Sequence, residues 1–134
     1  MKIVAVIVGI IVVFATYVRV APSNPEMWNV TFQNPQDRNG KGSATRVLVG
    51  EADRFDELEE IILATSRTKK LIGSSTEGVA TYVTRSLIWG FPDYTTVWKQ
   101  GEDLVIYGRL RFGGGDLGVN RQRIEGWIAA LNRS

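Results

Sequence analysis

The chain begins with an uninterrupted run of apolar residues. Residues 3–18 read IVAVIVGIIVVFATYV, carry no charge and lie between Lys2 and Arg19. A helix of this run is about 24 Å long, and the stems of the two flanking cations reach the headgroups on either side of a hydrocarbon core of roughly 30 Å. The pattern therefore predicts a single-pass transmembrane signal anchor over residues 1–21. The residues assigned to this membrane anchor are Ile3, Ile7, Ile11, Phe14 and Val18.

A cleaved signal peptide is the alternative for the same run, because it also combines a positive start with an apolar centre. The segment in which cleavage would fall contains Arg19 and bulky residues, and Pro22 follows Ala21, its only plausible small residue. The chain has no cysteine, which excludes lipoprotein processing. We therefore expect a retained anchor. A tail as short as this one usually stays cytoplasmic, which places the rest of the chain outside the inner membrane.

Residues 22–43 form a connector that is rich in Pro, Asn, Gly and Ser. The connector nevertheless carries Met27, Trp28, Val30 and Phe32, and a free linker needs no such apolar content. We expect Trp28 and Phe32 to dock on the following domain and to fix its tilt relative to the bilayer. The alternative is a tryptophan that lies at the level of the headgroups.

The remaining residues, 44–134, contain two segments with helical periodicity. The first helix is predicted over about residues 54–65, with Asp53 as its N-cap. Its apolar stripe consists of Phe55, Leu58, Ile61 and Ile62. The second helix is predicted over about residues 121–132, with Asn120 as its cap. Its apolar stripe consists of Ile124, Trp127, Ile128 and Leu131.

Short alternating segments surround these helices and predict strands. The predicted strands lie near residues 46–49, 69–72, 79–89, 94–99 and 104–112. The order is β-α-β-β-β-β-α, and tight glycine-containing turns join neighbouring strands. An antiparallel sheet with helices packed on one face follows from this order. The fold class is therefore α+β, with an N-terminal transmembrane helix, a connector and a globular domain over residues 44–134.

Polar side chains alternate with apolar ones along the last strand. Tyr107, Arg109 and Arg111 should lie on the face opposite Leu104 and Ile106. A three-residue turn over residues 100–102 would pair Lys99 with Asp103 and Asp93 with Arg109. On the predicted strand over residues 79–89, Arg85 lies in a largely apolar row and should require an acidic partner. The nearest candidates for that partner are Asp93 and Asp116.

These observations suggest a polar pocket or a partner-binding surface at one end of the sheet. The residues assigned to it are Arg85, Asp93, Tyr94, Arg109, Arg111, Asp116 and Asn120. The alternative is an ion-pair network that holds the Gly-Phe-Pro-Asp turn and the later glycine loop in shape. We favour the network, because none of these residues carries its own reaction signature.

Composition narrows the function mainly by exclusion. The formal net charge is +2 without runs of like charge, which argues against a nucleic-acid partner. The absence of both histidine and cysteine excludes Ser-His-Asp and Cys-His relays and the ordinary zinc, copper and haem sites. Neither a Walker loop nor a Rossmann glycine pattern occurs. We therefore assign no catalytic residue, metal or cofactor, and an enzyme is the less favoured interpretation.

Several motifs in the second half of the chain resemble those of one family. They are a threonine-arginine-serine strand at residues 84–86, Gly-Phe-Pro-Asp-Tyr at residues 90–94, and Asp-Leu-Gly-Val-Asn at residues 116–120 before a helix with a tryptophan. The chain from about Ala21 onward resembles the bacterial domain of unknown function 1499. The resemblance implies a small membrane-associated bacterial domain, and it implies no reaction, cofactor or catalytic residue.

Three classes of function follow, in order of preference. The first is a non-catalytic accessory or scaffold protein, anchored in the bacterial inner membrane with a periplasmic domain, that associates with a larger membrane protein complex. The second is a lipid or apolar-ligand binder whose curved sheet and C-terminal helix enclose a cavity. The third is an enzyme that uses carboxylates on an envelope polymer, with Asp93, Tyr94 and Asp116 as its candidates.

Overall fold

The computed structural model describes residues 1–134. The helices are α1 (Lys2–Val20), α2 (Pro25–Trp28), α3 (Phe55–Leu63) and α4 (Val119–Asn132), and a short 3-10 helix (Ala52–Arg54) precedes α3. The strands are β1 (Arg38–Asn39), β2 (Ser43–Leu48), β3 (Thr68–Ser74), β4 (Val79–Arg85), β5 (Pro92–Gln100) and β6 (Asp103–Leu110).

The strands form one six-stranded antiparallel sheet in the order β1-β2-β6-β5-β4-β3. The predicted α+β class and the antiparallel sheet are confirmed. The sequence predicted one strand, near residues 46–49, between the connector and α3, whereas the structure has two strands, β1 and β2, before α3. The additional strand, β1, is only two residues long, so it has no periodicity by which a pattern could predict it.

Helices α3 and α4 cover one face of the sheet, which we call the helix face. The stripes predicted for both helices point into this core, and the N-terminal cap predicted at Asp53 is wrong because α3 begins without a side-chain cap. The buried core consists of Ala44, Phe55, Leu58, Ile62, Ala80, Tyr82, Val97, Leu104, Ile106, Ile124, Trp127 and Leu131. Alternating residues of the strands thus meet the helical stripes in a single apolar layer.

The connector covers the opposite face, which we call the connector face. The ring of Trp28 stacks on the ring of Tyr94, with centroids 3.9 Å apart and 9° between the planes. The ring of Phe32 meets Trp98 and Tyr107 edge to face, at 5.1 and 5.2 Å. The expected docking of Trp28 and Phe32 on the domain is confirmed. Both faces of the sheet are therefore covered, one by helices and one by an irregular segment.

The turn between β5 and β6 sets the register of the connector face. It contains two residues rather than three, because Gln100 pairs directly with Asp103, and Gly101 adopts a left-handed φ of 62°. Short hairpin turns with positive φ match the twist of a sheet. Tyr94, not Asp93, consequently lies opposite Arg109. The pairs predicted from a three-residue turn, Lys99 with Asp103 and Asp93 with Arg109, are wrong.

Strand β4 ends at Arg85, four residues before the predicted end. Residues 86–91 instead form a loop, which we call the 86–91 loop. The amide of Phe91 donates to Oγ of Ser86 at 2.9 Å, and the amide of Gly90 donates to the carbonyl of Ser86 at 3.1 Å. Leu87, Ile88 and Trp89 are exposed at the tip of this loop. Their apolar character predicts a continued strand, but Leu87 and Ile88 are largely exposed and Trp89 stacks only on Phe91 of the same loop, with ring centroids 6.4 Å apart.

Helix α1 is long and apolar enough to cross a membrane, a property that a retained anchor and a signal sequence share. Most of the helix is uncovered, but its last turns pack on the domain, where Val18 is fully buried. Phe14 meets the rings of Phe91 and Phe112 at 6.2 and 6.4 Å, and Tyr17 meets Phe112 at 6.2 Å. The helix and the sheet are thus in direct contact.

We predict that Trp28→Ala lowers the free energy of unfolding by about 2–3 kcal/mol, because it removes a large stacked ring from the connector face. Urea unfolding of the full chain in mild detergent, followed by far-ultraviolet circular dichroism, measures this change. Met27→Ala is the matched control, since Met27 is the preceding residue and is 63% exposed. Equal stability of the two variants would contradict the packing role of Trp28.

Candidate functional site

The residues predicted to form one polar site lie on two opposite faces of the sheet. Arg85, Tyr94, Arg109 and Arg111 lie on the connector face. Asp93, Asp116 and Asn120 lie on the helix face or at its edge. Strand alternation together with the two-residue turn separates the two groups. The acidic residues therefore cannot pair with the predicted arginines.

The guanidinium of Arg109 is buried under the connector, and the residue is only 7% exposed. Its Nη1 donates to Oγ1 of Thr96 at 2.7 Å, and its Nη2 donates to the main-chain carbonyl of Trp28. The group also lies over the rings of Tyr107 and Trp28, at 4.8 and 5.5 Å from their centroids. Burial lowers the pKa of Arg109 to about 10. Trp28 occupies the place where a ligand would reach this cation.

Two threonines complete the attachment of the connector. Oγ1 of Thr96 lies 3.0 Å from the carbonyl of Trp28, and Oγ1 of Thr81 lies 2.9 Å from Oδ1 of Asn29. The two hydroxyls are also 2.8 Å from each other. Sequence reasoning did not identify these residues. The available signal was a threonine at the centre of each of two neighbouring strands, where a buried hydroxyl requires a partner.

Arg111 and Tyr94 hold the start of the connector. Nη1 of Arg111 donates to the carbonyl of Pro22 at 3.0 Å and to the hydroxyl of Tyr94 at 3.1 Å. The same hydroxyl lies 2.6 Å from Oγ of Ser23. The predicted site residues Arg111 and Tyr94 are thus brought together, and their partner is the chain itself.

Arg85 is joined to carbonyl oxygens rather than to a carboxylate. Its Nη1 donates to the carbonyls of Val18 and Gly90, at 3.2 and 2.9 Å. The prediction that it pairs with Asp93 or Asp116 is wrong. The last carbonyls of a helix lack partners within the helix and carry partial negative charge, so the end of α1 supplies what an acid would have supplied.

Arg85 donates from the sheet to α1, and Arg19 donates from α1 to the domain. Its Nη2 donates to the carbonyl of Ile88 at 2.5 Å, which ties the end of α1 to the 86–91 loop. Gly90 permits this approach, because a Cβ at that position would lie 3.0 Å from Cγ of Arg19 and its φ of 70° is left-handed. Arginines therefore join the helix, the loop and β4 through main-chain oxygens.

On the helix face, Asp93 pairs with Arg123 of α4 at 3.2 Å. Nη1 of Arg123 also donates to Oδ1 of Asn120 at 3.0 Å. Burial raises the pKa of Asp93, and Arg123 opposes that shift. Sequence reasoning missed Arg123, although its spacing of three residues from Asn120 places the two on one side of a helix. The pair attaches α4 to the end of β5.

The N-cap residue of α4 is Gly118, and the side chain of Asp116 two residues earlier accepts from the first turn; the predicted cap, Asn120, lies inside that turn and is fully buried. The carboxylate accepts hydrogen bonds from the amides of Gly118 and Asn120 at 2.9 and 3.0 Å and from Nδ2 of Asn120 at 2.8 Å. Burial alone would raise the pKa of Asp116, but these bonds outweigh it and lower the pKa. A Cβ at Gly108 would lie 3.0 Å from Oδ1 of Asn120, so the glycine permits the close packing of α4.

The arrangement as a whole fastens segments of the chain to one another. Every buried side-chain nitrogen and oxygen has a hydrogen-bond partner within the protein. No group of three or more acidic side chains lies close enough together to hold a metal ion. The seven predicted residues bond to other parts of the chain, as members of a structural network do.

We predict that Asp116→Ala lowers the free energy of unfolding by about 1–2 kcal/mol at pH 7, because the first turn of α4 loses its acceptor. The folded-state pKa of Asp116 is lowered, so its stabilisation is complete above the unfolded-state value and is lost as the pH falls through the folded-state value. The difference between wild type and variant should therefore shrink in acid.

Chemical denaturation of both proteins between pH 7 and pH 3 checks this prediction. Glu77→Ala removes the same charge from an exposed turn where the side chain has no partner, and it serves as the control. A penalty for Asp116→Ala that stays constant across this range would show that the carboxylate charge does not stabilise the helix.

Comparison with known proteins assigns the chain to a family. The model of the family described as protein of unknown function (DUF1499) matches residues 19–131, from the last turn of α1 to the last turn of α4. The match includes the connector and all six strands. A search of curated proteins found no match. The resemblance seen in the sequence motifs is confirmed, and the chain belongs to the DUF1499 family of proteins of unknown function.

Proposed function

We propose that this protein is a non-catalytic, membrane-anchored accessory or scaffold protein that associates with a larger membrane protein complex through α1 and the globular domain. The observation that carries the proposal is the direct packing of the last turns of α1 on the sheet. An anchor that only tethers a domain needs no such contact. A subunit that presents one surface inside the bilayer and another outside it needs the two surfaces in a constant relative position.

The contact combines apolar and polar groups. The rings of Phe14 and Tyr17 meet the domain at Phe112, and Val18 is fully buried. The carbonyl of Val18 accepts a hydrogen bond from Arg85. Aromatic pairs of this geometry contribute about 0.5–1.5 kcal/mol each beyond the area that they bury. Several such contacts together hold the domain at a constant height and tilt.

The first two-thirds of α1 remain uncovered and are available to lipid and to other helices. Gly9 lies nine residues before Val18, which is two and a half helical turns, so it lies on the side away from the domain. A Cβ at Gly9 would meet no other atom within 4 Å. Small residues allow close approach of a second membrane helix, which supports association along this side.

We place the protein in the bacterial inner membrane as a single-pass protein with its domain in the periplasm. Lipid-cavity binding and carboxylate catalysis receive less support. The side chains of Tyr82, Ile106 and Trp127 belong to one buried core between the sheet and the helices α3 and α4. Asp93 and Asp116 are both engaged in positioning α4.

We expect mild detergent extraction of the tagged full chain to retain a membrane protein partner at constant stoichiometry, identified by mass spectrometry. Replacement of residues 3–13 by leucine keeps the turns that contact the domain and should release the partner. Gly9→Ile should weaken retention, because it adds four carbons to the open side of α1. Val4→Phe adds four carbons near the opposite side and is the matched control.

Two results would contradict the proposal. One is a lone, monodisperse protein extracted from membranes in which the chain is produced at its native level. The other is a partner that is retained equally by the wild type, the leucine variant and Gly9→Ile. The proposal is supported if Val4→Phe retains the partner and Gly9→Ile loses it. That result would assign the contact with the partner to the side of α1 away from the domain.

We predict that Phe112→Ala loosens the domain on its anchor, because it removes the ring that meets both Phe14 and Tyr17. The chain contains no cysteine, so spin labels can be attached at Ile10→Cys and Lys99→Cys without background. Pulsed electron paramagnetic resonance should show one narrow distance distribution for the otherwise wild-type chain and a broader one for Phe112→Ala. Phe32→Ala, which alters only the connector, should leave the distribution narrow. An unchanged width in Phe112→Ala would refute the rigid attachment.

A further inference from the structure

An open cleft lies where the end of α1 meets the domain. It has a volume of about 630 Å³ and is bounded by the last turn of α1, strand β3, the end of β4 and the 86–91 loop. No acidic side chain lines it. Its basic residues are Arg19, Arg67, Lys69, Lys70 and Arg85. Lys70 forms an ion pair with Glu59, so the other four cations give the cleft its charge.

None of these four cations is neutralised by a carboxylate. Arg19 and Arg85 donate to main-chain carbonyls, and Nε of Arg67 donates to the carbonyl of Arg85 at 3.0 Å. Lys69 is exposed and takes part in no ion pair. Each guanidinium has five donors, and the carbonyl contacts leave several of them unused. The cleft therefore offers both net positive charge and free donors.

The backbone at Arg67 is a second indication. Its φ is 56°, in the left-handed region that glycine and asparagine favour. The residue that carries this cation therefore has an uncommon backbone conformation beside the cleft. Strained positions of this kind concentrate at sites that bind ligands.

The 86–91 loop places the cleft at the surface of the bilayer. The ring of Phe91 contacts Phe14, which lies five residues before Arg19 and therefore about 7 Å deeper along the helix. Leu87, Ile88 and Trp89 at the loop tip are 74%, 72% and 47% exposed. Apolar side chains at that depth enter the headgroup region, where tryptophan is favoured. The cleft between this loop and β3 then faces the headgroups.

We infer that this cleft binds the phosphate-bearing headgroup of an anionic phospholipid, with Arg67 and Lys69 as its exposed contacts. Arginine matches the geometry of a phosphate group with paired donors, and lysine adds a point charge. The acyl chains of the lipid lie along α1 and beside the apolar tip of the loop. The inference rests on the membrane placement of α1 in the proposed function and is independent of any protein partner.

Titration of the full chain in nonionic detergent with dioleoyl phosphatidylglycerol or dioleoyl phosphatidylcholine, followed by native mass spectrometry, tests the inference. We expect one phosphatidylglycerol to be retained at concentrations where phosphatidylcholine is not. Arg67→Gln with Lys69→Gln should weaken that binding about fivefold for each cation removed. Lys69→Glu is a second variant that leaves the contact between Arg67 and Arg85 intact.

The control removes the same charge elsewhere. Lys99→Gln with Arg133→Gln alters two exposed cations, at the far end of β5 and just after α4, and should bind phosphatidylglycerol as the wild type does. Equal retention of both lipids by the wild type, or equal loss in the control variant, would overturn the inference. This titration involves no partner, so its failure is separate from a failure to recover a complex.

Inorganic phosphate separates a lipid site from a site for soluble phosphate compounds. We expect millimolar inorganic phosphate to leave the retained phosphatidylglycerol in place, because the apolar loop and α1 contribute to the binding of the lipid alone. Displacement of the lipid by inorganic phosphate at these concentrations would assign the cleft to a soluble ligand and would overturn the lipid inference.

Discussion

The guanidinium of Arg109 is a buried cation without a carboxylate partner, and the attachment of the connector depends on how that cation is satisfied. Removing such a charge from water carries a penalty of several kcal/mol. In this protein a hydroxyl, main-chain carbonyls and two aromatic faces take the place of water. One of those carbonyls belongs to Trp28, so the cation is fully satisfied only while the connector lies on the sheet. Burial of Arg109 and ordering of the connector are therefore coupled.

Hydrogen bonds from arginine side chains to main-chain carbonyls also join the domain to α1 and to the start of the connector. Arg85 donates to the end of α1, Arg111 donates to the carbonyl of Pro22, and Arg19 donates to the 86–91 loop. Carbonyls at a helix end and in an irregular connector lack regular partners, and an arginine can satisfy two of them at once. These contacts join anchor, connector and sheet into one unit. The proposed accessory role depends on that unit, because it relates a surface within the membrane to a surface outside it.

Local patterns predicted the secondary structure well where the periodicity was strong. The stripe containing Ile124, Trp127 and Leu131 predicted α4, and the apolar run predicted α1. Prediction was poorer where a single residue decided the outcome. The turn at Gly101 is shorter by one residue than expected, which moved Tyr94 rather than Asp93 opposite Arg109. Asp93 was consequently separated from Arg109, whereas Asp116 and Asn120 lie on the helix face because they belong to the start of α4. Arg123 was missed as the partner of Asp93.

The sequence by itself determined the apolar helix, the α+β class, the helical stripes and the family, because these follow from local periodicity and from motifs that are contiguous in the chain. The tertiary structure alone decided which groups satisfy the buried arginines and where the unpaired cations collect. Main-chain carbonyls are present at every residue and leave no mark in a sequence, so the partners of Arg85 and Arg109 could not be predicted from side-chain types. The basic cleft likewise unites residues from α1, β3 and β4, which only the packing of α1 on the sheet brings together.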